Sequence, residues 1–379
     1  DRMIEEHIAK HQDMSYNNRY CIIMAGGTSN HFWPISREAS PKQFLDIAYT
    51  GESFIKTTYD RFSRIVPPEN IIVVSLARFA DLVRKQIPDL PADNLLLEPY
   101  SRSTGPCLVY ATYSIMKRNP DATVLATPAD HTIADESGFR DTILKMMEYA
   151  EEKPVLMTLG IPPTNPDTSY GYIQAPKGSE DASYDIPLKV KTFTEKPDKA
   201  MAEVLCKTGE FYWNSGIFAW KVSVIKEEME KYIPDVTAVF SGWEKALGTD
   251  EERTFLEKAY TDCPKVSIDY GVMEKTDRAW LYRGDFGWSD IDGWDSLSRN
   301  FNGKTPDGNV VFADNIMTED CRDSIFVSTV RRKKFYAVKG LKDYVIVDTG
   351  DVLLICPKDY KQFKDFLSGL GMPEYESFR

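Results

Sequence analysis

The sequence predicts an α/β protein: a mostly parallel sheet covered by helices on both faces, followed by stacked β-rungs or a small β-domain. Three observations lead there. Short β-branched runs alternate with helical stretches through roughly the first 300 residues. Polar turns follow several of those runs. Beyond "SLSRNFNGKTPDGN" (296–309), short strands recur about every ten residues. Alternating strand and helix covers both faces of a parallel sheet, and evenly spaced short strands build rungs or a β-domain.

The elements follow in order. "YCIIM" is a strand that runs into the glycine turn "AGGTSNHFWP" (25–34). "SFIKTTYDRFSRIV" carries apolar residues near i, i+3 and i+4, the helical period. "NIIVVSL" is a buried strand, "ARFADLVRKQI" a helix, and "NLLLEP" a third strand stopped by Pro99. "GPCLVYATYSIMKR" is a helix, and "ATVLATPADH" a fourth strand ending in Pro and Asp. "GYIQA", "LKVKTFTEKP" and "FYWNSGIFAWK" read as strands and turns, with helices over 223–232 and 251–260. The C-terminal strands are "NVVFAD", "SIFVST", "FYAVKG", "YVIVDT" and "VLLIC", and the helix "KQFKDFLSGL" follows. Ligands of open α/β sheets lie off the carboxyl ends of the strands. Three polar segments follow strand ends here, 25–31, 98–105 and 128–131, which points to a site.

Composition narrows the function. With 42% hydrophobic and 27% charged residues, the 379-residue chain is an ordinary globular protein. A net charge of −12 argues against a nucleic-acid or anionic-membrane binder, which needs a basic face. Six scattered cysteines without a CxxC pair point to a reduced, cytoplasmic protein. No segment has the apolar length of a membrane span, and residues 1–18 read as a tail or cloning remnant. His7 and His11 stand i,i+4, yet with no third ligand nearby a solvated helix or tail is the better reading.

Candidate chemistry gathers at the turns. Gly26 and Gly27 let backbone N–H groups approach a ligand, and Lys42 in "SPKQFL" offers a point charge suited to phosphate. Asp130 in "PADH" is a candidate Mg²⁺ ligand, since Mg²⁺ takes one or two carboxylates plus phosphate oxygens. Its alternative is a helix N-cap, and His131 reads as structural. In "GWSDIDGW", Asp290 and Asp292 point to one side if the segment is extended. Glu195, Lys196 and Asn214 sit inside apolar strands and need partners, which could be one another or the hydroxyls of a sugar.

Taken together, "AGG…FWPISR…PKQFL", "EPYSRSTGP", "PADH", "GYI", "FTEKP", "WNSGIF", "SIDYGVMEK" and "GWSDIDGW", in this order from about residue 19 onward, resemble the mannose-1-phosphate guanylyltransferases. The resemblance implies a Rossmann-like nucleotidyltransferase domain over 19–298 and a small β-helical, β-rich C-terminal domain over 299–379. It implies the short form, without an added isomerase domain. It implies Mg²⁺-dependent transfer from GTP to mannose 1-phosphate, giving GDP-mannose and pyrophosphate. Ala25, Gly26, Gly27, Glu98, Arg102 and Thr104 would then bind the nucleotide. Lys42, His31 and Asp130 would be catalytic, Gly171, Glu195, Lys196 and Asn214 would meet the sugar phosphate, and Asp130 and Asp290 would hold the metal. The β-rich region offers a homodimer surface.

The chain departs from the family's pattern in the same places. Where the family reads GGxGxR, this chain has Ser29 for glycine and His31 for arginine. Ser103, Gly105, Gly271 and Asp292 stand for Asn, Ala, Ala and Gly. A non-glycine residue in a left-handed backbone costs about 1–2 kcal/mol, and a neutral histidine cannot replace a guanidinium charge for charge. Three readings stay open: an active enzyme, one serving another nucleotide or sugar 1-phosphate, or an inactive homologue that binds nucleotide sugar as a regulatory subunit.

Overall fold

The computed structural model describes residues 12–331 and 334–379, so His7 and His11 lie outside it. The described chain forms two compact units. The larger comprises residues up to Gly26, Ile55–Ala129 and Ile133–Trp288; the smaller comprises Gly27–Phe54, Asp130–Thr132 and Ser289–Arg379.

A ten-stranded sheet organises the larger unit. Its parallel part contains β1 (Arg19–Met24), β2 (Ile71–Leu76), β3 (Leu95–Glu98) and β4 (Thr123–Pro128), side by side in the order β3-β2-β1-β4. Met24 pairs with Val74 and Pro128, and Leu76 with Glu98, so these strands end nearly in step. β2 is buried at every residue, as a strand inside a covered parallel sheet is. Its polar residue, Ser75, donates to the Ala25 carbonyl at 2.8 Å and fixes the start of the glycine turn. Cys21 is fully buried, a small hydrophobe whose thiol burial pushes up in pKa. The six cysteines are all free.

Beyond β4 the sheet reverses. "FYWNSGIFAWK" forms one strand, Phe211–Lys221, antiparallel to β4 and to Leu156–Ile161. Its register breaks between Asn214 and Phe218, where Gly216 adopts φ +72°. The irregularity is taken up inside one strand, as a bulge does. The helix Thr104–Arg118 is buried from Gly105 to Ile115 and fills the space between the sheet and the helix Val222–Tyr232. No described helix is long and apolar enough to cross a membrane.

In the smaller unit, Val310–Phe312, Ile325–Ser328 and Tyr344–Asp348 stack in parallel, with Val310 on Ile325 and Ile325 on Val345. Leu353–Pro357 closes this ladder antiparallel. A second parallel ladder joins Ile316–Glu319 to Tyr336–Lys339. Ile316–Glu319 was not foreseen, because it is mostly exposed and carries no apolar alternation. The rung residues Val310, Ile325 and Val345 share a core with Phe32, Trp33, Phe54 and Trp294. Phe32 meets Trp294 edge-on at 5.1 Å, and Trp33 Nε1 donates to the Phe378 carbonyl at 2.6 Å.

Ser103, the residue before the helix Thr104–Arg118, has φ +70° and ψ −172°. Only glycine adopts that region without strain, at a cost of order 1–3 kcal/mol for other residues. Ser103→Gly is therefore expected to raise stability by about 1 kcal/mol after the extra chain entropy of glycine. Urea unfolding of the two proteins measures it.

Candidate active site

In the smaller unit, three chain segments converge on one ammonium. Lys42 is 1% exposed and forms ion pairs with Asp290 Oδ1 at 2.8 Å and Asp130 Oδ2 at 3.2 Å. Burial disfavours the charge, but the carboxylates of Asp130, Asp290 and Asp292 outweigh it and raise the Lys42 pKa above its ordinary range. Lys42 is thus not the presented point charge the sequence suggested; it is the buried counter-ion of two carboxylates. The Lys42 carbonyl accepts from Leu45 N in a short 3₁₀ turn, which Pro41 enters in extended conformation.

The other oxygens of the same carboxylates face elsewhere. Asp130 Oδ1 and Asp290 Oδ2 each lie 3.9 Å from His131 Nε2. Asp130, His131 and Asp290 offer three ligand atoms within 4.8 Å of one another. This donor set fits a small divalent cation, with each carboxylate giving one oxygen to Lys42 and one to the cluster. His131, expected as structural, belongs to the cluster. Asp130 does not cap the following helix; Asp135 does, accepting from Gly138 N at 3.0 Å.

The glycine turn behaves differently from its reading in sequence. Ser29 is absent from the described residues with positive φ, so the left-handed penalty does not arise. Its Oγ is buried without a hydrogen-bond partner. Gly27 O accepts from Gln43 Nε2 at 2.8 Å. His31 Nδ1 lies 3.0 Å from Asp292 Oδ1, so two of the departures from the family pattern touch.

Two polar groups sit in the larger unit. In the first, a Cβ on Gly26 would stand 3.2 Å from Glu98 Oε1, so glycine lets the turn close on this carboxyl. Tyr260 donates to Glu98 Oε2 at 2.6 Å. Burial pushes the Glu98 pKa up to about 7, against the hydrogen bonds from Tyr260 and Cys107. Arg102 Nε donates to the Tyr260 carbonyl at 3.1 Å, and Thr104 Oγ1 accepts from Ile268 N at 2.9 Å. Both therefore brace the surrounding backbone. Gly105 explains itself, because a Cβ would reach 2.6 Å from the Val266 carbonyl oxygen; at Gly271 it would reach 2.6 Å from Ile233.

In the second group, a Cβ on Gly171 would stand 2.2 Å from Glu195 Oε2, an atom buried without a hydrogen-bond partner. Burial, then Asp269, raises the Glu195 pKa to about 7, and Lys196 opposes them. Lys196 itself has φ +47°, a strained backbone for lysine. Asn214 Nδ2 donates to Asp269 Oδ1 at 2.8 Å, and its Oδ1 accepts from Gly216 N at 3.1 Å. Asn214 is thus held within the protein. Asp269 and Tyr260 were assigned no role from sequence. An acid among Ile268, Val272 and Met273, here opening a π-helical turn (Asp269–Met273), was the available signal.

A nucleotidyl transferase family model matches residues 20–305. The mannose-1-phosphate guanylyltransferase of Escherichia coli K12 is 35% identical over 384 residues, covering 97% of this chain and 77% of that protein. The chain belongs to the mannose-1-phosphate guanylyltransferase family. The xanthan biosynthesis protein XanB of Xanthomonas campestris is 35% identical over 342 residues, 89% of this chain and 70% of that one. The crystal structure of a mannose-1-phosphate geranyltransferase from Thermus thermophilus matches with a TM-score of 0.80 at 29% identity, over 94% of this chain and all of that one. For this guanylyltransferase-family chain, nucleotidyl transfer is the enzyme class.

Two outcomes are expected. Lys42→Met leaves two carboxylates uncompensated and should cost about 3–5 kcal/mol in urea unfolding. Glu98 has a folded pKa near 7 against an ordinary 4.5. Its contribution to stability is therefore full below about pH 4.5 and is lost as pH rises to 7, with a slope of up to about 1.4 kcal/mol per pH unit. Glu98→Gln should remove that decline, which unfolding curves at stepped pH will register.

Proposed function

We propose that the protein transfers a guanylyl group from GTP to mannose 1-phosphate, forming GDP-mannose and pyrophosphate with Mg²⁺ bound. The observation that carries this reading is the sharing of Asp130 and Asp290 between Lys42 and the face they form with His131. A phosphate oxygen of the sugar phosphate attacks the α-phosphorus in line; the bond to the β-phosphate oxygen breaks, and pyrophosphate leaves. The nucleophile is already an anion, so the task is to bring two anions together. When bound at Asp130 and Asp290, Mg²⁺ supplies charge neutralisation and orientation for phosphate oxygens.

The protein's own residues do the rest. Lys42 fixes the two carboxylates and keeps their negative charge from dominating the site. Glu98, with Gly26 giving it room, accepts hydrogen bonds from the N–H edge of guanine. Arg102 and Thr104 hold the segment that carries it. The unpartnered Glu195 Oε2 accepts from a sugar hydroxyl beside Gly171, Lys196 offers charge to the sugar phosphate, and Asn214 fixes their surroundings through Asp269. Mannose 1-phosphate and the guanylyl group enter this proposal through the names of the relatives; GTP as donor, a cytoplasmic setting and a homodimer using the β-rich region belong to the proposal itself.

Pyrophosphate release from GTP and mannose 1-phosphate tests the proposal. Wild type should turn over with Mg²⁺ and stop with a chelator, and Asp290→Asn should lower kcat by about 10²-fold or more. A wild type that binds GDP-mannose without releasing pyrophosphate would instead mark a binding-only homologue.

A further inference from the structure

We infer that Asp292 is a positioning residue for His31, so that the two side chains act as one element of the phosphate end of the site. This rests on the reading above, in which Asp130 and Asp290, in the same unit as the pair, would hold the metal that orients the phosphate oxygens.

The pair is built into the smaller unit from both sides. His31 Nδ1 and Asp292 Oδ1 are 3.0 Å apart, although 261 positions separate them in sequence. Their side chains are 21% and 31% exposed, which shields the contact more than an ordinary surface pair. His31 directly precedes Phe32 and Trp33, both buried, and Trp33 N donates to the Asn30 carbonyl at 2.8 Å. Asp292 lies between Asp290, which is fixed on Lys42, and Trp294, which is buried against Phe32. Trp294 Nε1 donates to the Trp33 carbonyl at 3.3 Å, tying the two segments together just beyond the pair. Neither backbone has to move for the side chains to meet.

The chemistry of each residue calls for the other. An imidazole has two nitrogens with different roles, and a carboxylate at Nδ1 fixes both the donor at that nitrogen and the orientation of the ring. An arginine needs no such partner, because its guanidinium presents several donors at once. Asp292 by itself would be a third carboxylate near Asp130 and Asp290, repelling a triphosphate. Paired with His31, that charge is engaged.

The test compares wild type, His31→Ala, Asp292→Gly, the double variant and Asp292→Asn. GTP affinity is read by calorimetry, kinetics by pyrophosphate release, and the His31 ring by ¹⁵N NMR. His31→Ala and Asp292→Gly are each expected to weaken GTP binding about tenfold, equivalent to one polar contact. The KM for mannose 1-phosphate should stay within about twofold of wild type, a split that general loss of structure would not give. The double variant should bind no more weakly than the weaker single. Asp292→Asn keeps an acceptor oxygen for Nδ1 and should retain affinity within about threefold. Asp292→Gly should change the ¹⁵N signals of the His31 ring. Additive losses, or an Asp292→Gly protein with wild-type GTP affinity and unchanged ¹⁵N signals, would overturn the inference. A wild type that binds GTP but releases no pyrophosphate would overturn the proposed reaction instead, and the affinities would still decide the pairing. A wild type that does not bind GTP would overturn both.

Discussion

The smaller unit is organised around one buried ammonium. Lys42 belongs to the segment 27–54, Asp130 to the three-residue segment 130–132, and Asp290 to the segment 289–379. Each stretch brings a charge that could not be buried alone, since an isolated ion in low dielectric costs several kcal/mol. Together they satisfy one another, and the apolar contacts of Phe32, Trp33 and Trp294 add the packing energy the ion cluster lacks. The same electrostatics that hold these segments also leave two carboxylate oxygens turned toward His131. Structure and candidate chemistry are therefore difficult to separate here: a residue that looks like a phosphate ligand in sequence is a structural counter-ion in space.

In the larger unit, strain and desolvation mark the two polar groups. Ser103 and Lys196 both hold positive-φ backbone conformations that cost residues other than glycine free energy. Glu98 and Glu195 are both held with raised pKa by burial. Two glycines sit against these carboxyls: a Cβ at Gly171 would stand 2.2 Å from Glu195 Oε2, and one at Gly26 a tight 3.2 Å from Glu98 Oε1. Their value lies in close approach rather than in unusual φ, as neither belongs to the glycines with positive φ.

Much of the fold was legible in the sequence because it is written in period and length. The all-apolar run of β2, the uninterrupted helix "GPCLVYATYSIMKR" and the evenly spaced C-terminal strands each have one good structural solution. Ile316–Glu319 escaped because an exposed strand has no hydrophobic pattern to show. The candidate site was legible in residue types but not in roles. Sequence order gives no hint that Asp292 reaches His31, that Asn214 is held by Asp269, or that Lys42 lies beneath two carboxylates. Those are consequences of long-range packing, and a residue's nearest sequence neighbours do not encode them.

The division of the smaller unit into three separated segments has a consequence for how the chain folds. Lys42 and Asp290 are 248 positions apart. During synthesis the segment 27–54 emerges long before its partner at 289–379, so its aromatic residues and its lysine must wait in solvent while the intervening sheet is made. Contacts of such sequence separation carry a large loop-closure cost and form late. The ion pair that completes the smaller unit therefore cannot close until Asp290 has been made, and until then Lys42 and the aromatic residues beside it lack these partners.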